Sequence, residues 1–237
     1  NRLYVAMGGY TEPVTLVGTM FLVHEPLNQI KERRSAWIYN AGHRRVRRAP
    51  DLGYDGITDG SEGMFTADQV DAYNGSPDRF DWTLLGKKEL YIPYNSYRIG
   101  QKNQADSDII RRGTVNSDLM RYELHRVWVV DATLKAGTSH IYSRRTFYID
   151  EDSWNVVAID KYDGRGQLWR FSEQHSENWY NIPMWFGTIE MHHDLQSRRY
   201  IAMGLRSEEA KIYEPIKRTA ADYTPQNLRG LGTRIDS

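Results

Sequence analysis

The sequence has 237 residues, with 31 Lys and Arg against 31 Asp and Glu, so its formal net charge is zero. A chain without surplus positive charge lacks the usual signature of a non-specific nucleic-acid-binding protein, and we predict no nucleic-acid partner. There is no cysteine, which excludes disulfides and thiolate metal sites. The longest apolar runs are shorter than about 18 residues, which predicts no transmembrane segment.

The first half of the chain alternates between strand-like runs and polar turns. Aromatic and β-branched residues favour strands, and such runs cover 14–24, 35–40, 44–48 and 79–98. Residues 51–65 are rich in Gly and Asp and predict a loop, and polar residues 99–118 predict a second one. Thr66 and Gln69 match the capping box of a helix N-terminus, which predicts a short helix to about Tyr73.

The stretch from 119 to 205 carries six further strand-like runs, at 120–134, 139–149, 153–162, 167–175, 184–193 and 199–205. The links between them are too short for parallel crossovers, so neighbouring runs are predicted to pair as an antiparallel meander. The hairpin from Tyr162 to Gln167 is expected to need a positive φ at Gly164 or Gly166. Long twisted strands curl, and the predicted fold class is mainly β, a meander curled into a half-open barrel with a few short helices.

The C-terminal segment 206–237 is polar and is predicted to form a tail with one short helix. Thr224 and Pro225 match an N-cap followed by proline at the first helical position, and Gly230 or Gly232 is expected to end the helix. Residues 1–237 are otherwise predicted to form a single β-rich domain. Because the chain starts at Asn1 directly in a strand-like run, we expect an N-terminal part to lie outside it.

Candidate catalytic groups do not assemble into a recognisable motif. His192 and His193 are adjacent on a predicted strand, so their side chains point to opposite faces and cannot share an ion. Carboxylates on neighbouring strands resemble an acid–base pair, but strand ends beside glycine turns are usually solvated; they are Asp160, Asp163, Glu173 and Glu190. We therefore predict no enzyme activity, no catalytic residue, no metal and no cofactor.

The densest basic run lies at 43–48. On a strand, Arg45 and Arg47 share one face, while Arg44 and Arg48 share the other with Val46. These arginines either pair with carboxylates on a neighbouring strand or contact an anionic head group. We assign the possible head-group contact to Arg45 and Arg47.

Aromatic side chains mark the predicted sheet. If every strand alternates, seven of them point to one face: Trp37, Tyr39, Trp128, Phe147, Trp169, Phe171 and Phe186. That face is either a core packed under a helix or a concave apolar cavity for a ligand. Few helices are predicted to cover it, which favours the cavity.

Several runs resemble family 1329 of the bacterial domains of unknown function. They are YNAGHRRVRRAP at 39–50, NGSPDRFDW at 74–82, IPYNSY at 92–97, RYELHRVW at 121–128, RTFYIDEDSW at 145–154 and YDGRGQLWR at 162–170. That family is similar to the outer-membrane lipoprotein-sorting proteins. The resemblance implies a half-open barrel with a cavity for acyl chains, located in the Gram-negative periplasm, and resistance-nodulation-division type exporters as a partner. It transfers no catalytic residue, and it implies that members are longer at the N-terminus.

The leading hypothesis is therefore a non-catalytic periplasmic carrier that holds lipids or other hydrophobic molecules in a half-barrel. The alternative is a docking or adaptor module for an envelope exporter. A hydrolase of envelope glycans that uses Asp160 or Glu173 is a third hypothesis.

Overall fold

The computed structural model describes residues 1–49, 54–58, 60–208 and 217–235. Its strands are β1 Arg2–Gly9, β2 Met20–Pro26, β3 Ser35–Asn40, β4 Arg45–Arg48, β5 Phe80–Pro93, β6 Tyr122–Leu134, β7 Arg144–Asp150, β8 Val156–Tyr162, β9 Leu168–Trp179, β10 Met184–Asp194 and β11 Arg199–Met203. The α-helices are α1 Asp106–Ile109 and α2 Pro225–Ile235. No helix among these residues is long and apolar enough to cross a membrane.

The chain divides into two compact units. The first unit comprises Asn1–Gly56 and Glu214–Ser237, and the second comprises Ile57–Tyr213. Each unit has its own antiparallel sheet: four strands in the first and seven in the second. The predicted mainly β fold with few short helices is confirmed.

The sheet of the first unit has the order β1-β2-β3-β4. Helix α2 packs on one of its faces, where Leu228 is fully buried against Leu22 and Tyr39. The helix begins where the sequence predicts, because Thr224 Oγ1 accepts the backbone N–H of Asn227 at 3.3 Å. It continues through Gly230 to Ile235, so the predicted glycine stop is wrong. A helical glycine costs only about 1 kcal/mol, which burial of Leu228 offsets.

The predicted strand at 14–24 is wrong in its first part. Strand β2 starts at Met20, and the residues before it form the turn that joins β1 to β2. Gly18 has φ 75° there, and the Tyr10 N–H donates to the Thr19 carbonyl at 3.0 Å. The left-handed glycine turns the chain back, so the apolar residues 14–17 lie in the turn and not in the sheet.

The second unit has the strand order β11-β10-β9-β8-β7-β6-β5, in which every strand pairs antiparallel with its sequence neighbour. This confirms the predicted meander. Between β8 and β9 the chain turns at Gly166, which has φ 76°, as the hairpin prediction requires.

The seven-stranded sheet is strongly curved. Just beyond the end of β5, the Ser96 N–H donates to the Ser176 carbonyl of β9 at 2.8 Å. The ring of Tyr94 lies 4.5 Å from that of Trp185 on β10. Strands β5 and β11 nevertheless remain the two edges, so among the described residues the barrel is half open.

The curved sheet has two faces, which we name after one residue each. Directly paired residues of adjacent strands share a face. The Phe147 face contains the row Val130, Phe147, Ile159, Ser172 and His192, and the Val129 face contains the row Val129, Tyr148, Ala158, Glu173 and Met191.

Each face is covered by a different connection. Part of the segment 57–79 packs on the Phe147 face, where Ala72 joins Phe147 in one core cluster. The excursion between β5 and β6 packs on the Val129 face, where Ile99 and Ile109 meet Met191 in another cluster. The two coverings are mainly irregular, with short helical turns.

The predicted helix from Thr66 to Tyr73 is replaced by a single 3-10 turn at Ala67–Gln69. The Thr66 hydroxyl donates to the Asp68 carboxylate at 2.6 Å and caps no backbone N–H. Asp71 and Ala72 then have φ values of 51° and 68°, which ends any right-handed helix. Asp68 and Gln69 instead bond to buried groups of the sheet, a tertiary requirement that overrides the local signal.

Candidate functional site

A cavity of the second unit lies on the Phe147 face, beside β9, β10 and the end of β11. Its volume is about 600 Å³, within the range of about 300–1,000 Å³ that is usual for small-molecule sites. Gln174 and Glu190 pair with each other across β9 and β10. Each lies two residues from Ser172 or His192 in its own strand, so this pair is on the same face. Its apolar lining consists of Phe65, Val70, Met184, Trp185, Phe186, Ile189, Met203 and Leu205.

Polar groups interrupt this apolar lining. The Thr188 hydroxyl is buried and has no hydrogen-bond partner among the described residues, and the same holds for the indole N–H of Trp185. Burial and the neighbouring Asp71 carboxylate raise the pKa of Glu190 to about 8. Arg206 also lines the cavity and donates to Glu177 at 3.0 Å. A ligand here would meet apolar walls and a few fixed polar atoms.

A buried polar network lies next to the cavity, under the segment 65–73. The Lys161 ammonium donates to the Ser172 hydroxyl and to Gln69. Ser172 lies 2.6 Å from His192 Nδ1. Burial and the Arg145 guanidinium lower the pKa of Lys161 to about 7. The network therefore holds an interior lysine that gives up its proton far more readily than an exposed one.

Arg145 lies at the other end of this network and is fully buried. Its guanidinium donates to Asp68 at 2.8 Å and lies 4.7–5.6 Å from the ring centres of Tyr73, Phe80 and Phe147. Burial alone would raise the pKa of Asp68, but Arg145 and His140 outweigh burial and hold this pKa well below its usual range. The ion pair and the aromatic rings together stabilise the buried cation.

Ser172, His192 and Lys161 bring together the residue types of a nucleophilic centre, but they are enclosed. Ser172 is only 4% exposed. The small space beside Ser172 and His192 holds about 10 Å³, roughly the room for one water molecule. Because a nucleophile must reach its substrate, this arrangement is suited to holding the buried charge and not to acyl transfer.

The predicted aromatic set does not share one face. Trp37 and Tyr39 lie in β3 of the first unit, and Tyr39 is fully buried in the core beneath α2. Phe147 belongs to a core cluster of the second unit, and Lys87 lies 4.3 Å over the ring of Trp128. Of the seven residues, Phe186 alone is in the cavity lining.

Strand β9 shows why alternation failed. Trp169 and Phe171 are two residues apart and were expected on the same face. A register shift opposite Lys161 and Tyr162 breaks the alternation. Trp169 therefore donates to Asp194 at 3.0 Å, while Phe171 stacks on His193 of the Val129 face, with ring centres 6.5 Å apart.

The expectation for the histidine pair is confirmed. His192 faces Phe65, with ring centres 4.8 Å apart, whereas His193 lies on the opposite face beside Phe171 and Tyr200. Two of the four candidate carboxylates are hydrogen-bonded within the sheet: Asp160 accepts from the Tyr148 hydroxyl at 2.8 Å, and Glu173 accepts from Tyr122. Asp163 accepts backbone N–H groups of its own hairpin turn, and Glu190 lines the cavity.

One cluster with metal-ligand chemistry occurs in the described part of the chain, and no spacing pattern in the sequence indicates it. Ligand atoms of His125, Asp150 and Asp152 lie within 4.8 Å of one another. Both Asp150 oxygens are already engaged, by His125 at 3.0 Å and by the Ser153 hydroxyl at 2.6 Å. The Asp150 oxygens therefore already have protein hydrogen-bond donors, and the group forms a hydrogen-bonded cluster.

Arg45 and Arg47 lie on β4 of the first unit, and both are exposed. They pair across the strands with Asn40 and Ile38, so the residues that the structure describes do not show the predicted alternative, cross-strand pairing with carboxylates. None of the cavity-lining residues belongs to this unit.

The fold defines a class: an open, curved antiparallel meander whose faces are covered by mainly irregular connections with short helical turns. A solved domain from Vibrio parahaemolyticus, described as a putative outer membrane lipoprotein-sorting protein domain, matches 94% of this chain and 76% of its own, with a TM-score of 0.62 and 14% identity. A DUF1329 family protein from Desulfovibrio piger matches 94% of this chain and 75% of its own, with a TM-score of 0.57 and 15% identity. These similarities show a shared fold.

The family follows from the sequence. An uncharacterized protein of Pseudomonas aeruginosa is 51% identical over 235 residues, which are 99% of this chain and 52% of that protein. The chain thus spans about half the length of this curated relative. The family model for the proteins of unknown function DUF1329 matches residues 1–229, and the chain belongs to this family.

Proposed function

We propose that the protein binds a hydrophobic molecule, such as a lipid acyl chain, in the cavity on the Phe147 face, and carries it through the Gram-negative periplasm without covalent chemistry. The observation that carries this proposal is the cavity of about 600 Å³ with Phe65, Trp185, Phe186 and Met203 in its wall. Aromatic rings supply a large apolar contact. Methionine side chains adapt to ligands of different shape.

The mixed lining suits a carrier better than a permanent lipid site. Burying one methylene contributes about 0.8 kcal/mol, so full enclosure of a sixteen-carbon chain would gain roughly 12 kcal/mol before ordering costs. Release would then be slow. Thr188 and Glu190 interrupt the apolar wall, and Met184 is 36% exposed, so part of a bound chain would stay in contact with water or polar atoms and exchange would be faster.

Fluorescence of tryptophan tests the cavity. Adding a fatty-acid analogue should quench or shift the emission, and Trp185→Phe should remove most of this change because Trp185 is in the wall. Phe186→Ala should weaken binding. The matched control is Trp128→Phe, since Trp128 lies outside the lining. An equal response in the Trp185→Phe variant and the wild type would contradict the proposal, as would unchanged affinity in Phe186→Ala.

Co-purification distinguishes the carrier from the adaptor. Mass spectrometry of an organic extract should find lipid with the carrier and none with a pure docking module. The resistance-nodulation-division type exporter remains a prediction of the family resemblance, and a pull-down from the envelope is its direct measurement.

A further inference from the structure

The first unit carries a net positive charge, although the net charge of the whole chain is zero. Its residues, 1–56 and 214–237, include 12 Lys and Arg and 8 Asp and Glu, a net charge of +4, and the rest of the chain therefore carries −4. Two of the acidic groups are bound by neighbouring residues of the same unit. Glu25 is fully buried in an ion pair with Arg34 at 2.5 Å, and Asp222 accepts from the backbone and hydroxyl of Thr219.

The surplus collects at one edge of the four-stranded sheet. Strand β4 is an edge strand, and Arg44, Arg45, Arg47 and Arg48 are all exposed on it or directly before it. We call these four residues the basic edge. Among the described residues no carboxylate forms an ion pair with any of them. Arginines on both faces of an edge strand can all reach a plane beyond that edge, because their side chains are long.

A groove adjoins the basic edge. It has a volume of about 330 Å³ and is lined by Arg44, Arg45, Val46, Pro225, Gln226 and Arg229. The first turn of α2 therefore forms one wall, and arginine side chains form much of the rest. Such a groove favours an anionic group small enough to enter between guanidinium groups, as a phosphate is.

The backbone at Arg44 offers a way to test binding apart from stability. Arg44 has φ 50°, a left-handed conformation that disfavours residues with a Cβ by about 1–2 kcal/mol relative to glycine. Its turn closes when the Arg44 N–H donates to the Ala41 carbonyl at 3.3 Å. Glycine would form the same turn without strain, so replacing Arg44 by glycine removes the charge without a cost in stability.

We propose that the basic edge binds the phosphate head groups of an anionic lipid surface. This proposal does not depend on the cavity on the Phe147 face, because none of the residues that line that cavity belongs to the first unit. An open edge with arginines on both faces fits a plane of phosphates better than one free phosphate ion, which needs donors that converge. The competing explanation is that the charges only prevent edge-to-edge pairing of sheets.

Charge reversal separates these explanations. Glutamates at positions 45 and 47 would still place charges on the edge strand and prevent edge pairing, but they would repel phosphates. Sedimentation with vesicles should show binding to phosphatidylglycerol-containing membranes and none to pure phosphatidylcholine. Binding should fall as the ionic strength rises from about 0.05 to 0.5 M. Losing one arginine should weaken binding about fivefold, and Arg45→Glu with Arg47→Glu should abolish it.

Two variants complete the design. Arg112→Glu with Arg165→Glu reverses two exposed arginines of the second unit and should leave vesicle binding unchanged. Arg44→Gly should raise the unfolding midpoint, because it relieves the left-handed backbone, while it weakens vesicle binding about fivefold. That combination excludes misfolding as the cause of weaker binding.

Each of the following results would overturn the proposal. Two results would show that the arginines only prevent edge-to-edge pairing of sheets. One is equal binding to the two vesicle types, and the other is full binding by the variant with Arg45→Glu and Arg47→Glu. Complete competition by millimolar inorganic phosphate would assign the groove to free phosphate. Equally tight binding of short duplex DNA would indicate a general polyanion surface.

Discussion

At the scale of single residues, the second unit is unusual for the charges that it buries. Arg145 and Lys161 are both at most 1% exposed, yet they lie on the same face of one sheet. The two cations are treated differently: Arg145 has the Asp68 carboxylate as a partner, whereas Lys161 bonds to the neutral groups of Gln69 and Ser172. A buried cation without a carboxylate partner favours loss of its proton.

Lys161 should therefore make stability depend on pH. Its pKa is about 7 in the folded protein and about 10.5 in the unfolded chain, so between these values the unfolded chain binds more protons. Lys161 alone should raise the free energy of unfolding by about 2 kcal/mol from pH 7 to pH 9, and Glu190, whose pKa is raised to about 8, partly offsets this rise in the wild type. Lys161→Met should remove this rise, and Lys135→Met, at a partly exposed lysine, should keep it. Urea titrations at both pH values measure the effect, and parallel curves for all three proteins would contradict it.

At the scale of elements, local sequence signals predicted which strands pair better than they predicted the structure of the segments that connect them. The links between β6 and β11 are too short for any other pairing, so the meander followed from their lengths alone. The segment after Thr66 has an equally clear helix signal, but Asp68 and Gln69 bond to Arg145 and Lys161 instead. These partners are 77 and 92 residues away in the sequence, and no local pattern reports them.

The β8–β9 hairpin allows a matched test of one such local signal. The sequence indicates a positive φ at Gly164 or Gly166, and the structure has it at Gly166. A Cβ at either position meets no atom within 4 Å, so only backbone conformation distinguishes them. Gly166→Ala should lower the free energy of unfolding by about 1–2 kcal/mol, and Gly164→Ala should change it little. Thermal unfolding measures both variants, and equal midpoints would show that the turn does not depend on the left-handed glycine.

At the scale of the whole molecule, the candidate site depended on which strands share a sheet. Alternation separates the faces within a strand except at a register shift, as in β9, and it does not say that β3 and β10 belong to different sheets. Trp37 and Tyr39 were therefore grouped with Phe186, although they lie in another unit. The cavity residues Phe65 and Met203 come from a connection and a strand end, where no periodic pattern marks them.

The division into two units predicts how fragments of the chain behave. Among the described residues, 57–213 contain the seven-stranded sheet and three of the four core clusters, whereas the core of the first unit needs Leu228 from the C-terminal segment. A fragment of residues 57–213 should therefore fold alone, with a strand-rich circular dichroism spectrum and a cooperative urea transition. Residues 1–56 alone should stay unfolded, and addition of the 214–237 peptide should restore strand signal. A gradual, non-cooperative transition in the 57–213 fragment would show that its core does not support folding on its own.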